Sequence, residues 1–526
     1  MGRGPPGGKM NPFLLSIFIV MLTGISSNSY AQTPGYFKDI FCDGGAYLTS
    51  MTSLPAADAQ DLSVEYLYTS DGDVQNGVMI ADDMDSNGHL LYPDGSPRFR
   101  MIYTNGGTAT NHGNSLGEIG RERVRTFFAN GGSYSGSCAG AFIASLHWDE
   151  TGSNPAYYHI WPGRATGTGL TDSYTGHFIP EESKLLDYFD FGDDFYIDNV
   201  RHNGGCYANE SVDFPAPTEI LLRYDYPGWG MHEKASTWAY KPRGSQGRSA
   251  GRVVVTGSHP EAVETGERFE LMQAILLYAL DGVGLPKVKA ELLNGEIRSM
   301  DLYAEDSLPA FTRIGDKQYH HFTMMVPPEA DSLTIELISE SDFDFNLFAN
   351  PGEFAFEVTA QFTSSAEGAE HVLHIPVEGS GLWYIGVECA STVDAFNYLY
   401  YGGTDVLNGV AYDITATWDT TRITGIADPI AFSPHSFKLL QNYPNPFNPT
   451  TTIRYELPGQ SKVRLTVFDV CGQQVTVLEQ SDKPPGNYKA QWNGLDRFGN
   501  PVSTGVYFAR LDAGGVSQTI KMMYLR

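Results

Sequence analysis

The pattern of apolar and polar positions divides the 526-residue chain into segments of different character. From Tyr36 to about Gly284, short runs rich in Ile, Val, Phe and Tyr alternate with helix-like stretches. Examples are FRMIYTNGG, GEIGRERVRTFF, RVVVTGS and ERFELMQAILLYAL. Strands that alternate with amphipathic helices are typical of a mainly parallel sheet covered on both faces. The pattern therefore predicts an α/β domain over residues 32–286.

One interval interrupts this alternation. From Gly152 to Asn209 the chain is rich in Gly, Tyr, Asp and Pro. We interpret it as a long excursion over the edge of the sheet. Long loops on a rigid scaffold often build binding sites, so the excursion is expected to lie near any site on this domain.

The second half of the chain is predicted to be all β. After Leu285-Pro286, helical periodicity disappears and short β-type runs recur between Gly, Ser and Asp turns. Such spacing predicts an antiparallel β-sandwich over 289–420. A proline-containing linker over 421–436 then leads to a second β-sandwich over 437–526. The chain as a whole is predicted to be multidomain, α/β followed by two all-β domains.

The charge of the chain excludes one class of partner. Lys and Arg total 34 against 62 Asp and Glu, which gives a net charge of −28 and a pI near 4.7. Such a charge repels phosphate backbones and anionic membranes. Nucleic acid is therefore not an expected partner.

The N-terminal 31 residues have the pattern of a secretory signal peptide. Arg3 and Lys9 precede an apolar run from Phe13 to Leu22, and Ser29-Tyr30-Ala31 provides small residues at a cleavage site. A membrane anchor would need roughly 20 apolar residues, which this run lacks. Cleavage after Ala31 is predicted, and no later stretch resembles a membrane span.

Five cysteines in an exported chain raise the question of disulfides. Cys42 and Cys206 fall in the first domain and could form one. Cys389 and Cys471 fall in different later segments, so a bond between them is not expected. An odd number leaves one thiol unpaired, which fits a reactive residue or chance.

Small residues surround one of these cysteines. Gly136-Ser137-Cys138-Ala139-Gly140 follows a predicted strand and precedes a predicted helix. A nucleophile at such a turn has strained backbone geometry that tolerates only small neighbours. The helix N-terminus lowers the pKa of a thiol, and the Ala139 N–H could stabilise an oxyanion. We predict Cys138 as a nucleophile; the alternative is a small buried residue.

A base and a second oxyanion donor follow other predicted strands. His259 comes directly after the run RVVVTGS, and Glu261 lies two residues later. His259 could face the thiol while Glu261 fixes its tautomer. After the strand FRMIYT, the backbone of Gly106 and Gly107 is suited to an oxyanion hole.

The motifs NGG, GSCAGA and GSHPE, in this order, resemble those of the class I glutamine amidotransferase-like superfamily. Within it, the chain is most similar to the domain found at the N-terminus of some biotin-protein ligases. The resemblance covers most of residues 36–284 and implies a flavodoxin-like parallel sheet. It also implies a catalytic triad of Cys138, His259 and Glu261.

The resemblance does not extend to a synthetase. The chain has no Walker-type phosphate loop and no biotin ligase domain, and an exported protein would meet no ATP. Hydrolysis of an amide, peptide or related acyl bond, in an unknown small molecule or peptide, is therefore the expected activity. The alternatives are a non-catalytic surface protein that binds a ligand and a redox-sensitive or covalent-capture thiol.

Two further histidines are candidates for substrate binding. His112 follows the NGG turn and His202 lies in RHNGG, so either could line the pocket or be an ordinary loop histidine. The acidic stretch from Asp187 to Asp194 has no compact spacing of oxygen ligands. No metal and no cofactor are expected.

The middle segment resembles the bacterial pre-peptidase C-terminal type of β-sandwich. The resemblance rests on SDFDFNLFAN followed by GSGLWYIGVE. Asp342 and Asp344 could bind calcium or a ligand, with a turn or a solvent-exposed role as the alternative.

The last segment resembles the type A C-terminal sorting domain of the type IX secretion system of Bacteroidetes. The motifs are QNYPNPFNPTTTIRYELP, VFDVCGQQV and WNGLDRFGNPVSTGVYFARL. The resemblance implies an Ig-like fold, the type IX machinery as partner, and delivery to the cell surface or the medium. An adhesive β-sandwich module is the alternative.

Overall fold

The structure of the chain is a computed structural model. The described residues are 35–43, 53–67, 85–147, 152–210, 214–242, 250–261, 263–284, 286–377, 379–392, 394–396, 399–401, 406–420, 437–440, 442, 445–484 and 486–525. The predicted signal peptide over 1–31 and the predicted linker over 421–436 lie outside them. Within these ranges, no helix is both long enough and apolar enough to span a membrane.

The first domain is built on one large sheet. Its strands are β1 (Lys38–Asp43), β2 (Val64–Leu67), β3 (Phe99–Thr104), β4 (Ser133–Ser137), β5 (Ala165–Gly167), β6 (Ser173–Phe178), β7 (Tyr196–His202), β8 (Cys206–Ala208), β9 (Thr218–Asp225), β10 (Ala235–Tyr240) and β11 (Val253–Thr256). The α-helices are α1 (Pro55–Asp58), α2 (Ala109–Ser115), α3 (Gly117–Ala129), α4 (Ala139–Ala144) and α5 (Glu267–Leu280). Short 3-10 helices cover Lys184–Asp187, Phe191–Asp193 and, later, Ala304–Asp306.

The prediction of a flavodoxin-like parallel sheet is wrong. The structure is mostly β, with 42% of residues in strands and 13% in helices. The sheet order is β2-β1-β3-β4-β11-β10-β9-β6-β7, with β8 and β5 attached to β10. Strands β2, β1, β3, β4 and β11 run parallel to one another. Beyond β11, strands β10, β9, β6 and β7 continue the sheet, each antiparallel to its neighbour.

The error in the predicted sheet arises from the excursion over 152–209, which we interpret as a loop from the sequence. It supplies strands β5 to β8 instead of a loop. In β6, Thr175 and His177 are buried while Tyr174 and Phe178 are exposed. This alternation has the period of a strand, but Gly and Asp among the strand residues conceal it.

Apolar clusters lie on both faces of the first sheet. In β11, Val253 and Val255 belong to one cluster and Val254 to the other, since successive side chains point to opposite faces. Cys206 and Cys42 also fall in different clusters. The disulfide considered between them is not formed, and both cysteines are buried.

The middle segment consists of two facing sheets around its own apolar core. Its strands are β12 (Val288–Glu291), β13 (Ile297–Met300), β14 (Tyr319–Val326), β15 (Ser332–Ile338), β16 (Phe345–Pro351), β17 (Phe362–Ser364), β18 (Glu370–Pro376), β19 (Gly381–Cys389), β20 (Asp394–Phe396), β21 (Leu399–Tyr401) and β22 (Tyr412–Asp419). The sheets have the orders β12-β14-β19-β16-β17 and β13-β22-β15-β18, and β20 pairs with β21. This arrangement is a β-sandwich.

The last segment is also a two-sheet structure with its own core. Its strands are β23 (Lys438–Leu439), β24 (Thr451–Leu457), β25 (Ser461–Asp469), β26 (Gln474–Lys483), β27 (Gly486–Trp492), β28 (Gly505–Ala513) and β29 (Val516–Tyr524). The sheets are ordered β23-β24-β27 and β26-β25-β28-β29. Between β27 and β28, Asp496 Oδ1 accepts hydrogen bonds from the N–H groups of Phe498 and Asn500, as expected for a turn.

A buried ion pair joins the first domain to the middle sandwich. Arg98 Nε lies 3.0 Å from Asp316 Oδ1, and Nη2 lies 2.7 Å from Oδ2. Their side chains are 2% and 1% exposed. Such a bidentate contact has fixed geometry, so it sets the position of the sandwich against β3.

Breaking this pair is expected to be costly. Arg98→Met leaves the Asp316 carboxylate buried without its partner, and we expect the free energy of unfolding to fall by about 3–5 kcal/mol. Guanidinium unfolding followed by tryptophan fluorescence measures the loss. In the control Lys184→Met, which removes an exposed contact to Asp187, the change should stay below about 0.5 kcal/mol. Equal effects of the two substitutions would contradict the role given to the buried pair.

Candidate active site

Cys138 lies at a sharp turn between β4 and α4. Its φ of 51° and ψ of −102° are strained for a residue with a side chain. The Cys138 N–H donates to the Thr256 carbonyl of β11 at 2.8 Å, and the Cys138 carbonyl accepts from the N–H groups of Ala141 and Phe142 at 3.1 Å. The strained residue is therefore held from the neighbouring strand and from the helix, as a nucleophile elbow requires.

Two glycines make this turn possible. A Cβ on Gly140 would lie 2.0 Å from the Thr104 carbonyl oxygen, and one on Gly136 would lie 2.8 Å from the Gly140 carbonyl carbon. The start of α4 therefore packs directly on the end of β3. The prediction that only small residues fit around Cys138 agrees with these contacts.

His259 and Glu261 follow the end of β11, next to β4. His259 Nδ1 donates to Glu261 Oε1 at 2.8 Å, and the His259 backbone N–H donates to the Arg201 carbonyl at 2.8 Å. A Cβ on Gly106 would lie only 2.3 Å from His259 Cε1, so the imidazole packs on bare backbone. The ends of three adjacent parallel strands thus bring together Gly106, Cys138 and His259.

The charge of His259 depends on its two neighbours. Burial lowers the pKa of the imidazole, but the nearby Cys138 thiol and the Glu261 carboxylate outweigh burial and raise this pKa to about 10. Glu261 accepts from Nδ1, and the buried Nε2 has no hydrogen-bond partner among the described residues. The thiol instead donates to the Asn203 carbonyl at 3.5 Å.

The predicted oxyanion donors lie around the thiol turn. Ala139 is the first residue of α4, and the first N–H groups of a helix have no partner within it. Gly106 is buried and Gly107 is exposed, with a φ of 142° at Gly107. Both follow β3, beside the strand that carries Cys138.

His112 has a different environment from the one that substrate binding requires. It is 4% exposed in α2, and Nε2 lies 2.8 Å from Asp43 Oδ2 and 3.1 Å from the Tyr158 hydroxyl. These contacts tie α2 to the end of β1. His112 is therefore a buried structural histidine in this structure.

His202 is also fully buried, but it lies beside the triad. Nε2 is 2.7 Å from the Thr168 hydroxyl, and Nδ1 is 3.4 Å from the Tyr224 hydroxyl. Burial, and secondarily the charge of His259, lowers the pKa of His202 to about 4. His202 is thus a neutral imidazole behind His259, and not part of an open pocket wall.

Sequence reasoning missed the groups that surround this pair. The backbone carbonyls of Arg201 and Asn203 contact His259 and Cys138, and backbone atoms leave no signature in side-chain identity. His177, whose Nε2 is 3.3 Å from the Ser258 hydroxyl, packs next to them. The available signal was RHNGG, since two glycines after a strand indicate close backbone approach.

No group of three or more His, Cys, Asp or Glu side chains in the described ranges is arranged to hold a metal ion. Asp344, one of the two aspartates considered for calcium, accepts a hydrogen bond from the Gly368 N–H at 2.8 Å. This contact joins Asp344 to a loop residue that is distant in sequence.

Comparison with known proteins identifies the C-terminal segment. Residues 441–524 match the family model of the secretion system C-terminal sorting domain. The predicted sorting domain is confirmed. It indicates export by type IX secretion to the cell surface or the extracellular space, and it implies interaction with the type IX machinery. A search of the curated proteins gives no match.

Solved structures give partial likenesses. The pre-peptidase C-terminal domain of a collagenase from Bacillus anthracis is 14% identical, covers 25% of this chain and 99% of its own, and has a TM-score of 0.16. FLGD from P. aeruginosa is 26% identical over 14% of this chain and 59% of its own, with a TM-score of 0.12. Dimeric latent PorU from Porphyromonas gingivalis is 16% identical over 38% of this chain and 18% of its own, with a TM-score of 0.18. At TM-scores this low, the likenesses establish no fold for the chain.

The close packing at the elbow gives a direct test. Gly140→Ala places a methyl group against the Thr104 carbonyl, and such overpacking is expected to destabilise the protein by about 1–3 kcal/mol. Gly167→Ala is the control, because its Cβ would make only an ordinary 3.6 Å contact with Phe142. Denaturant unfolding measures both. A Gly140→Ala protein as stable as the control would show that the elbow is not tightly packed.

Proposed function

We propose that the first domain is a cysteine-dependent hydrolase of amide, peptide or related acyl bonds. Cys138 is the nucleophile, His259 the base and Glu261 the residue that orients the base. The observation that carries the proposal is the placement of an elbow thiol and an imidazole at the ends of two adjacent strands, with Nδ1 of the imidazole bound by a carboxylate. The motifs NGG, GSCAGA and GSHPE support membership of the class I glutamine amidotransferase-like superfamily.

The first half of the reaction forms an acyl-enzyme. At neutral pH His259 holds the proton of the Cys138 thiol, and Cys138 Sγ attacks the carbonyl carbon of the substrate as a thiolate. The N–H groups of Ala139 and of the Gly106-Gly107 backbone stabilise the oxyanion of the tetrahedral intermediate. The bond to the leaving amine then breaks as the imidazolium returns its proton to the nitrogen.

The second half releases the acid. His259 removes a proton from water, which attacks the thioester carbonyl, and Cys138 leaves and recovers the proton as a thiol. Glu261 holds Nδ1–H throughout, so that Nε2 always faces the reacting atoms. Water is the natural acceptor for an exported protein with no synthetase module, so hydrolysis is favoured over amino transfer.

A second function is favoured by one specific observation. Cys138 is only 4% exposed, and the Asn203 carbonyl of the excursion lies 3.5 Å from its sulfur. A covered thiol also suits a non-catalytic cell-surface protein, whose scaffold binds a small molecule or peptide without turnover.

Activated esters distinguish the two functions without knowledge of the natural substrate. The mature protein is expected to hydrolyse p-nitrophenyl acetate and to form an acetyl thioester on Cys138, detectable by mass spectrometry. Cys138→Ala removes the adduct, and His259→Ala lowers turnover by about 100-fold or more, because general-base assistance is lost. Cys471→Ser, which removes an exposed thiol, should change neither.

The opposite result has a clear meaning. If Cys138→Ala hydrolyses the ester as fast as the unmodified protein, Cys138 is not a nucleophile. The non-catalytic function would then be the better account of the domain.

A further inference from the structure

Two residues of the excursion, Arg201 and Asn203, contact His259 and Cys138 respectively. The Arg201 carbonyl accepts from the His259 backbone N–H at 2.8 Å. The Asn203 carbonyl accepts from the Cys138 thiol at 3.5 Å. The segment 201–203, at the end of β7, therefore spans the gap between base and nucleophile, and we refer to it as the bracket.

His202, the middle residue of the bracket, is held by contacts in the protein interior. His202 is fully buried, bonded to the Thr168 hydroxyl at 2.7 Å, and packed edge-on against Tyr224 with 5.4 Å between ring centroids. Thr168 is itself buried, so the contact is shielded from water. A hydrogen bond in such surroundings holds its partners more firmly than one at the surface.

The turn after the bracket is fixed to the same segment of chain. The Thr168 N–H donates to the Gly205 carbonyl at 2.9 Å, and the Gly204 N–H donates to the Leu170 carbonyl at 2.7 Å. The Asp172 N–H donates to Asn203 Oδ1 at 3.1 Å. Residues 168–172 therefore hold both the bracket and the turn that follows it.

We propose that the bracket sets the separation of the Cys138 sulfur and the His259 imidazole, with His202 and Thr168 as positioning residues. The inference rests on the proposed function, since it concerns the same thiol and base. Neither His202 nor Thr168 needs to touch substrate. Their effect is to keep the two backbone carbonyls in place, and with them the geometry in which His259 accepts the thiol proton.

The inference assigns His202 a role that an ordinary core histidine would not have. Loss of its hydrogen bond to Thr168 should loosen the bracket and broaden the distance between sulfur and imidazole. Proton transfer depends steeply on that distance, so the reactivity of the thiol at neutral pH should fall. At alkaline pH, where the thiolate forms without help, the reactivity should not change.

The test uses two substitutions of the same residue in the full mature chain. Thr168→Val keeps the shape but removes the hydroxyl, and Thr168→Ser keeps the hydroxyl. The alkylation rate of Cys138 by iodoacetamide is followed against pH by peptide mass spectrometry, with the exposed Cys471 thiol as internal reference. Thr168→Val is expected to slow Cys138 about tenfold at neutral pH and not at alkaline pH, because the Thr168 hydroxyl bonds both His202 and the Gly205 carbonyl. Thr168→Ser should stay within about twofold of the unmodified protein.

The controls distinguish a failure of the bracket proposal from a failure of the proposed function. If the unmodified protein shows fast alkylation that His259→Ala abolishes, but Thr168→Val matches it at every pH, the bracket is overturned and the proposed function stands. If Cys138 reacts no faster than Cys471 and His259→Ala has no effect, both are overturned. An equal slowing at all pH values would indicate altered access to the thiol and would also overturn the bracket.

Discussion

The candidate site depends on the close approach of α4 to the end of β3. Gly140 lies so near the Thr104 carbonyl that no side chain fits, and this contact fixes where the helix begins. Cys138 must then turn within one residue, which gives its strained φ of 51°. This strained turn places the thiol near the strand ends that are followed by Gly106 and His259.

The antiparallel half of the sheet explains how those strand ends become a closed site. Strands β9, β6 and β7 extend the sheet away from β11, yet the end of β7 returns to pair with His259. A purely parallel sheet would leave the thiol and the imidazole open at its edge. The mixed sheet instead encloses them, which accounts for the low exposure of Cys138 and for the neutral histidines behind it.

Cys138, His259 and Glu261 could be selected as candidates because each follows a predicted strand and has Gly or Pro within two residues, a pattern that marks sharp turns. The antiparallel strands were not predicted, since Gly, Tyr and Asp within them obscure the alternation. The burial of His112 could not be predicted, because its contacts with Asp43 and Tyr158 join residues that are distant in sequence. Backbone contacts such as the Asn203 carbonyl leave no trace in residue identity.

The central claim is that Cys138 and His259 act as one unit, and the protonation of His259 tests it most directly. Selectively labelled histidines can be titrated by NMR in the unmodified protein and in Cys138→Ser. We predict that His259 stays protonated far above its ordinary pKa of 6.5, with a pKa of about 10, and that removal of the thiol lowers this pKa. Titration near 6.5 in both proteins would contradict it, because the imidazole would then be independent of the thiol.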